Sequence, residues 1–520
     1  MTSGPVGGQY PPQSQWQQPQ QPPWQQPAPQ WNQQPPHQSQ PPWHQQPYQP
    51  QHQPPWHQPA PPPPTPPPPR RKTWLWITLS VLAVLLTVGT GVVVGLVMNS
   101  TKRYDPFAEE KAPADPNSVT VTKKDLEGFL QGHTEALNGG DLKAYTKIFD
   151  QKNTALLQQQ TRLFNNLRKL PLTQMSYQTL EQQGRTQDSF GRGVTFTLDV
   201  AFVHRFEGID LHPVAEWYRW TVSKPAAGAP LVVTKVGGAP APLGESKTVY
   251  YPGPWDIWPD ISVVKTARTV VLAHPSLAAQ ARRVAPIAEQ AAANDLAFLA
   301  KNGERGSAVP KGFVVALVRG SSQLGNLFRK EKATEAGVSI PMPTWRMADD
   351  GVQIGGSRVV MDTASTFFTT AGGTAEIFRH EFAHSAVTSL DSGKSGLLGL
   401  DNWIVEGFAE YVANRGDPIT ADVRYDEGRA YLAGQLPQRF DGRLPDNFAW
   451  DTTGMTSVNY LMGHLAMRLI EERYGERKLV AFVTAHYRGD KSGAALQKVL
   501  GVGEAQFQQQ WADYVRSRLG

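Results

Sequence analysis

At 520 residues the chain is too long for a single domain, and it contains no cysteine, which excludes disulfides, thiolate metal sites and cysteine nucleophiles. Its 50 Lys and Arg against 45 Asp and Glu leave a net charge of +5, too weak and too dispersed to argue for nucleic acid as a partner.

Residues 1–69 carry no Asp, Glu, Lys or Arg and hold about 25 of the 45 prolines, with Gln filling most gaps. Such a tail buries too little apolar surface to offset chain entropy, so disorder with local polyproline II is expected. Tryptophan recurs in it as Trp16-Gln17-Gln18-Pro19, Trp24-Gln25-Gln26-Pro27, Trp43-His44-Gln45-Gln46-Pro47 and Trp56-His57-Gln58-Pro59. This suits either a flexible tail of biased composition or multivalent docking on a partner. Arg70-Arg71-Lys72 then precedes an uncharged apolar run from Thr73 to Met98, long enough to span a lipid bilayer. Trp74 and Trp76 sit where an interfacial belt forms, and the run is too long and too deep in the chain for a cleaved signal peptide. One transmembrane helix is expected over 73–98, with a juxtamembrane linker over 99–119. Lys102, Arg103 and Lys111 balance the basic residues on the other side, but the compact cluster abuts the span. The expected topology is a single pass through the cell membrane, with the tail cytoplasmic and the remainder outside.

An α+β unit is expected over 120–240. Helices are read at 123–138 and 141–169, with Gly139-Gly140-Asp141 supplying a C-cap and then an N-cap. Strand-like runs follow at Met175–Glu181, Val194–Phe206, Val214–Val222 and Leu231–Val236. Helices first and an antiparallel sheet after them resemble the cone-shaped fold of nuclear transport factor 2 relatives, which implies a cone-like domain with a pocket. No acid–base pair stands out, so a spacer or substrate-recruiting role is expected. Gly237 to Pro242 reads as the linker into a last unit, 248–520.

That unit contains His380-Glu381-Phe382-Ala383-His384. Two histidines four apart on a helix share a face, so both imidazoles can converge on one ion. The glutamate between them points toward the remaining coordination position. With 12 His in the chain, chance yields this pattern in roughly one such chain per hundred, and the context must decide. The helix is expected from Thr374, as cap, to about Leu390, with Glu376 near its positive end. Beyond a Gly-rich loop, Asp401 or Asn402 caps a second helix carrying Glu406, 22 positions past His384 and free to return to the ion as third ligand. Gly407 within it is expected to let this helix approach the first closely. Glu410, one turn on, can accept from a ligand histidine and fix its tautomer. Ser357 to Asp362 reads as a strand.

His380 to His384 followed by Trp403-Ile404-Val405-Glu406-Gly407 resembles the gluzincin branch of HExxH metallopeptidases, especially the peptidase-MA-like group. The resemblance implies a mainly α-helical zincin-like domain with a small edge sheet. It assigns His380, His384 and Glu406 as Zn²⁺ ligands and Glu381 as general base. In similar peptidases an edge strand before the active-site helix pairs with extended substrate. The chain departs from the metzincin pattern, reading Ser385-Ala386-Val387-Thr388 after His384.

The expected chemistry is hydrolysis of a protein or peptide at the cell surface, with Glu381 passing a water proton to the leaving amine. A neutral donor to the tetrahedral oxyanion is sought on the next long helix, from Ser457 to about Tyr474, where Tyr460 and His464 are the candidates. The competing expectation is a catalytically silent membrane scaffold that keeps a peptidase fold, and a third is hydrolysis of a non-peptide amide.

Overall fold

The computed structural model describes residues 119, 121–180, 193–240, 250–304, 308–329, 335–344, 353–391, 399–448, 450 and 454–520. The Trp-, Pro- and Gln-rich tail over 1–69, the run over 73–98 and nearly all of the linker over 99–119 lie outside them.

Polar caps start the first three helices, α1 (Lys123–Gly139), α2 (Leu142–Thr146) and α3 (Thr154–Leu167). Thr122 and Asp125 form a reciprocal capping box, and Asp141 and Asn153 accept from Ala144 and Leu156 backbone N–H groups. The helix expected over 141–169 is two helices. Between them the chain turns out to bridge Phe149 to Val233, with backbone hydrogen bonds at 2.8 and 2.9 Å, and Asn153 begins a new helix. The strands β1 (Leu172–Thr179), β2 (Val194–Phe206), β3 (Val214–Lys224) and β4 (Val232–Gly238) form an antiparallel sheet in chain order. Leu126, Leu137, Leu163, Phe164, Phe202 and Trp220 are buried in its core.

The second sheet has five strands in the order β5 (Ser262–Lys265), β6 (Thr269–Ala273), β7 (Phe313–Val318), β9 (Ile354–Asp362) and β8 (Gly337–Pro343). The inner pairs β6–β7 and β7–β9 are parallel, and β5 and β8 add antiparallel edges. Every residue of β6, β7 and β9 is buried, as parallel strands covered on both faces require. Side chains alternate between two cores. Val270, Leu272, Val314, Ala316 and Val360 join the core of the first sheet, together with Trp255 and Trp258 near α4 (Pro254–Ile257). Val271, Ala273, Val315, Leu317 and Val359 face a helical core. That core is built by α5 (Ala278–Lys301), α7 (Ala371–Thr388), α8 (Asn402–Ala413), α9 (Tyr425–Leu432), α10 (Thr456–Tyr474), α11 (Glu476–Tyr487) and α13 (Glu504–Leu519). Short helices α6 (Ser321–Asn326) and α12 (Ser492–Ala495) complete the set.

The two halves are joined by more than a linker. Leu211 and His212 N–H groups donate to Gly355 O at 2.8 and 3.1 Å, and Asp210 pairs through both oxygens with Arg358 of β9 at 2.7 and 3.0 Å.

The expected fold class needs correction. In place of a mainly helical last unit with a small edge sheet, the described residues show mixed α/β content, with a five-stranded sheet at the centre. Apolar runs such as Val270-Val271-Leu272 and Val314-Val315-Ala316-Leu317 lack the alternation that marks a half-buried strand, so periodicity does not separate them from buried helix. The single transmembrane helix is likewise not supported: its run over 73–98 lies outside the described residues, and no helix among them is long and apolar enough to cross a membrane. The strand read at 357–362 is the inner strand β9, and the edge beside α7 is β8.

Candidate metal centre

Helix α7 begins earlier than its sequence suggests. Thr370 is the cap, accepting from Gly373 N–H at 3.0 Å, while Thr374 is buried in the first turn and donates back to Thr370 O at 2.7 Å. Aromatic packing fixes the helix: Phe382 stacks on Phe313 of β7 at 4.3 Å, and Phe378 stacks on Phe382 at 5.5 Å. Ser385 on α7 meets Ser339 of β8 at 2.7 Å between hydroxyls. His380 and His384 are thereby presented to α8, which carries Glu406 and Glu410.

Gly407 does permit a close approach, but to α10 and not to α7. A Cβ there would lie 2.5 Å from Gly463 O, and one at Gly463 would lie 2.9 Å from Trp403 O. The two backbones are therefore in direct contact, so α8 packs against α10 at the residue next to Glu406.

The three expected ligands converge. His380 Nε2 and His384 Nε2 are 3.1 Å apart, and Glu406 Oε2 lies 3.2 Å from His384 Nε2 and 3.4 Å from His380 Nε2. Donors around a tetrahedral ion at bond lengths of about 2.0–2.1 Å stand about 3.3–3.4 Å from one another. The triangle has that size. His380 Nδ1 lies 3.2 Å from Glu410 Oε1, the hydrogen bond that leaves Nε2 as the lone-pair donor. The donor set therefore fits a zinc-type ion. No protein-family model matches the chain. No curated protein matches it either.

Electrostatics follow the same geometry. Burial alone would raise Glu406, yet the adjacent His384 and His380 imidazoles hold its carboxyl well below the usual range. Burial and the same kind of contest apply to Glu410, which His380 and Arg424 bring down to about 2. Burial pushes His380 down, but Glu406 and Glu410 outweigh it and favour a positive charge at this position. Glu381 is buried beside the ligands against Gly337 of β8, where an added Cβ would meet its Oε1 at 2.9 Å.

The two oxyanion candidates part company. Tyr460 packs its ring 6.1 Å from the His380 ring, and burial together with Glu406, Glu410 and Glu381 raises its phenol well above the ordinary range. A phenol kept protonated is a neutral donor. His464 is buried one turn further along, with Nδ1 3.1 Å from Asp422 Oδ2, in a second cluster with Glu410 and Asp422. Asp422 and Arg424, in the segment leading into α9, escaped the sequence reading. Arg424 donates to both oxygens of Glu410 at 2.8 and 2.9 Å, and no local motif announces a pairing across fourteen positions.

Proposed function

We propose that this chain is a zinc-dependent hydrolase of peptide bonds. The observation that carries the reading is the triangle of His380 Nε2, His384 Nε2 and Glu406 Oε2, with sides of 3.1, 3.2 and 3.4 Å, backed by the His380–Glu410 contact. The gluzincin-like pair of motifs supports the same ligand roles. A zinc ion held there would supply an acidified water and polarise a carbonyl oxygen.

The protein's own groups supply the rest. Glu381, between the two ligand histidines, takes the water proton as attack proceeds and returns it to the leaving amine. Tyr460 donates its phenolic hydrogen to the oxyanion as it develops. β8 ends the sheet beside α7, and an extended substrate strand laid along it would run past Gly337 and Glu381.

The test compares wild type with Glu381→Gln, His380→Ala and Glu406→Ala, measuring bound zinc and cleavage of a mixed peptide pool. Wild type should bind about one zinc and cleave. Glu381→Gln should keep the metal and lose cleavage, and the two ligand variants should lose the metal. Folded wild type without zinc would overturn the site, and turnover by Glu381→Gln would overturn the role of Glu381.

A further inference from the structure

Glu410 is saturated with donors. Its Oε1 takes His380 Nδ1 at 3.2 Å and Arg424 Nη2 at 2.9 Å; its Oε2 takes Arg424 Nη1 at 2.8 Å and Asn414 Nδ2 at 3.3 Å. Arg424 is itself held. Asp422 Oδ1 accepts its backbone N–H at 2.9 Å and stands 3.5 Å from Nη1, while the guanidinium lies 5.3 Å over the Tyr460 ring. His464 closes the far end through Asp422. The contacts run from His464 through Asp422, Arg424 and Glu410 to His380, and tie α10, the loop before α9, α8 and α7 at one point.

We infer that Arg424 is a positioning residue for the metal centre, acting through Glu410. The inference rests on the proposed metal site and extends it to a group that touches neither ion nor substrate. Three buried or half-buried carboxylates, Glu406, Glu410 and Asp422, gather here around one guanidinium. A buried charge is tolerated when it is paired and hydrogen-bonded, and the fork geometry of Arg meets both carboxylate oxygens at once. Glu410 can rotate about its side chain; with Arg424 bound to both oxygens it keeps one oxygen on His380 Nδ1–H. That bond selects the tautomer whose Nε2 is free to ligate. Arg424 also backs the Tyr460 ring, so the ligand and the proposed oxyanion donor share a support. Lysine cannot reproduce this, because an ammonium offers a point charge in place of a planar fork.

The experiment uses the folded chain in wild-type, Arg424→Met and Arg424→Lys forms. Zinc affinity is measured by chelator competition, the visible spectrum after cobalt substitution reports ligand geometry, and thermal unfolding is followed separately. Arg424→Met should weaken zinc binding by up to about 10-fold, the low end of the cost of removing a group bonded to a ligand histidine, because Arg424 acts one contact further out, and should shift the cobalt bands. Arg424→Lys should recover only part of the affinity, and it carries both readouts if Arg424→Met does not fold. A structural role alone would lower the unfolding temperature and leave metal affinity and cobalt bands at wild-type values, and that result overturns the assignment. Wild type that takes up neither metal overturns the metal centre itself, together with this inference, so the two failures are distinct.

Discussion

Removal of Asp210 tests whether the first sheet region is structurally part of the unit that carries the metal centre. Asp210 and Arg358 side chains are 0% and 1% exposed. Arg358 gives Asp210 two hydrogen bonds, at 2.7 and 3.0 Å, and a third to Ser357 O at 2.8 Å, and lies 4.7 Å over the Phe206 ring. Asp210 Oδ2 also accepts Phe206 N–H at 2.8 Å. Its neighbour His204 offers no compensating charge, since burial and then Arg358 push its pKa well below the ordinary value. Asp210→Ala would strand a guanidinium in the core with no carboxylate bonded to it, leaving Ser357 O at 2.8 Å and His204 Nε2 at 3.3 Å as its close polar neighbours. Breaking one side of a buried pair costs about 3–5 kcal/mol. Adding Arg358→Met removes the stranded charge, so the double variant should be more stable than Asp210→Ala alone, with a coupling of about 1–3 kcal/mol. Urea unfolding followed by fluorescence measures both. A loss below about 1 kcal/mol for Asp210→Ala, or strict additivity in the double variant, would refute the argument.

Three further outcomes are expected. Gly407→Ala places a Cβ 2.5 Å from Gly463 O, so it should lose about 1–3 kcal/mol in denaturant titration and bind zinc less tightly, because Glu406 is its immediate neighbour. Tyr460→Phe should keep its zinc and lower kcat about 10²–10³-fold; unchanged kcat would remove it as oxyanion donor. The third concerns pH. Burial raises Asp256 to about 7, against Tyr218 and Gly253, which pull it down, and burial with Asp256 raises Glu216 well above the carboxylate range. Raised acids bind protons more tightly in the folded state, so their contribution is complete below about pH 4 and is lost as pH rises through about 7. Asp256→Asn should therefore gain stability relative to wild type between pH 5 and pH 8, measured by urea midpoints; a constant difference would contradict the assignment.

Much of the site could be read from sequence because its signals are local. His380 and His384 sit four apart on one helix, Glu406 and Glu410 likewise on another, and each pair faces one way by helical spacing alone. The strands β2 and β3 were legible because they lie between clear turn signals. What escaped depends on contacts distant in sequence. Gly407 reads as a close-approach residue, but its partner Gly463 lies on a helix whose packing order no local pattern encodes. The strands β6 and β7 are too short and too uniformly apolar to declare a period. Asp422 and Arg424 look like ordinary surface charges until the loop before α9 folds back on Glu410. The break in 141–169 likewise comes from a strand, β4, that lies more than eighty residues further on.

The alternation along β6, β7 and β9 has a kinetic consequence. Each strand feeds neighbouring side chains into two different cores, so neither core can open while the other stays shut around it. Backbone amides of Val314 to Leu317 should then exchange with solvent only through global unfolding, and should be among the slowest in the protein. Local breathing is left to loops and edge elements. The helix bearing the two histidines leans on the part of the chain that opens last.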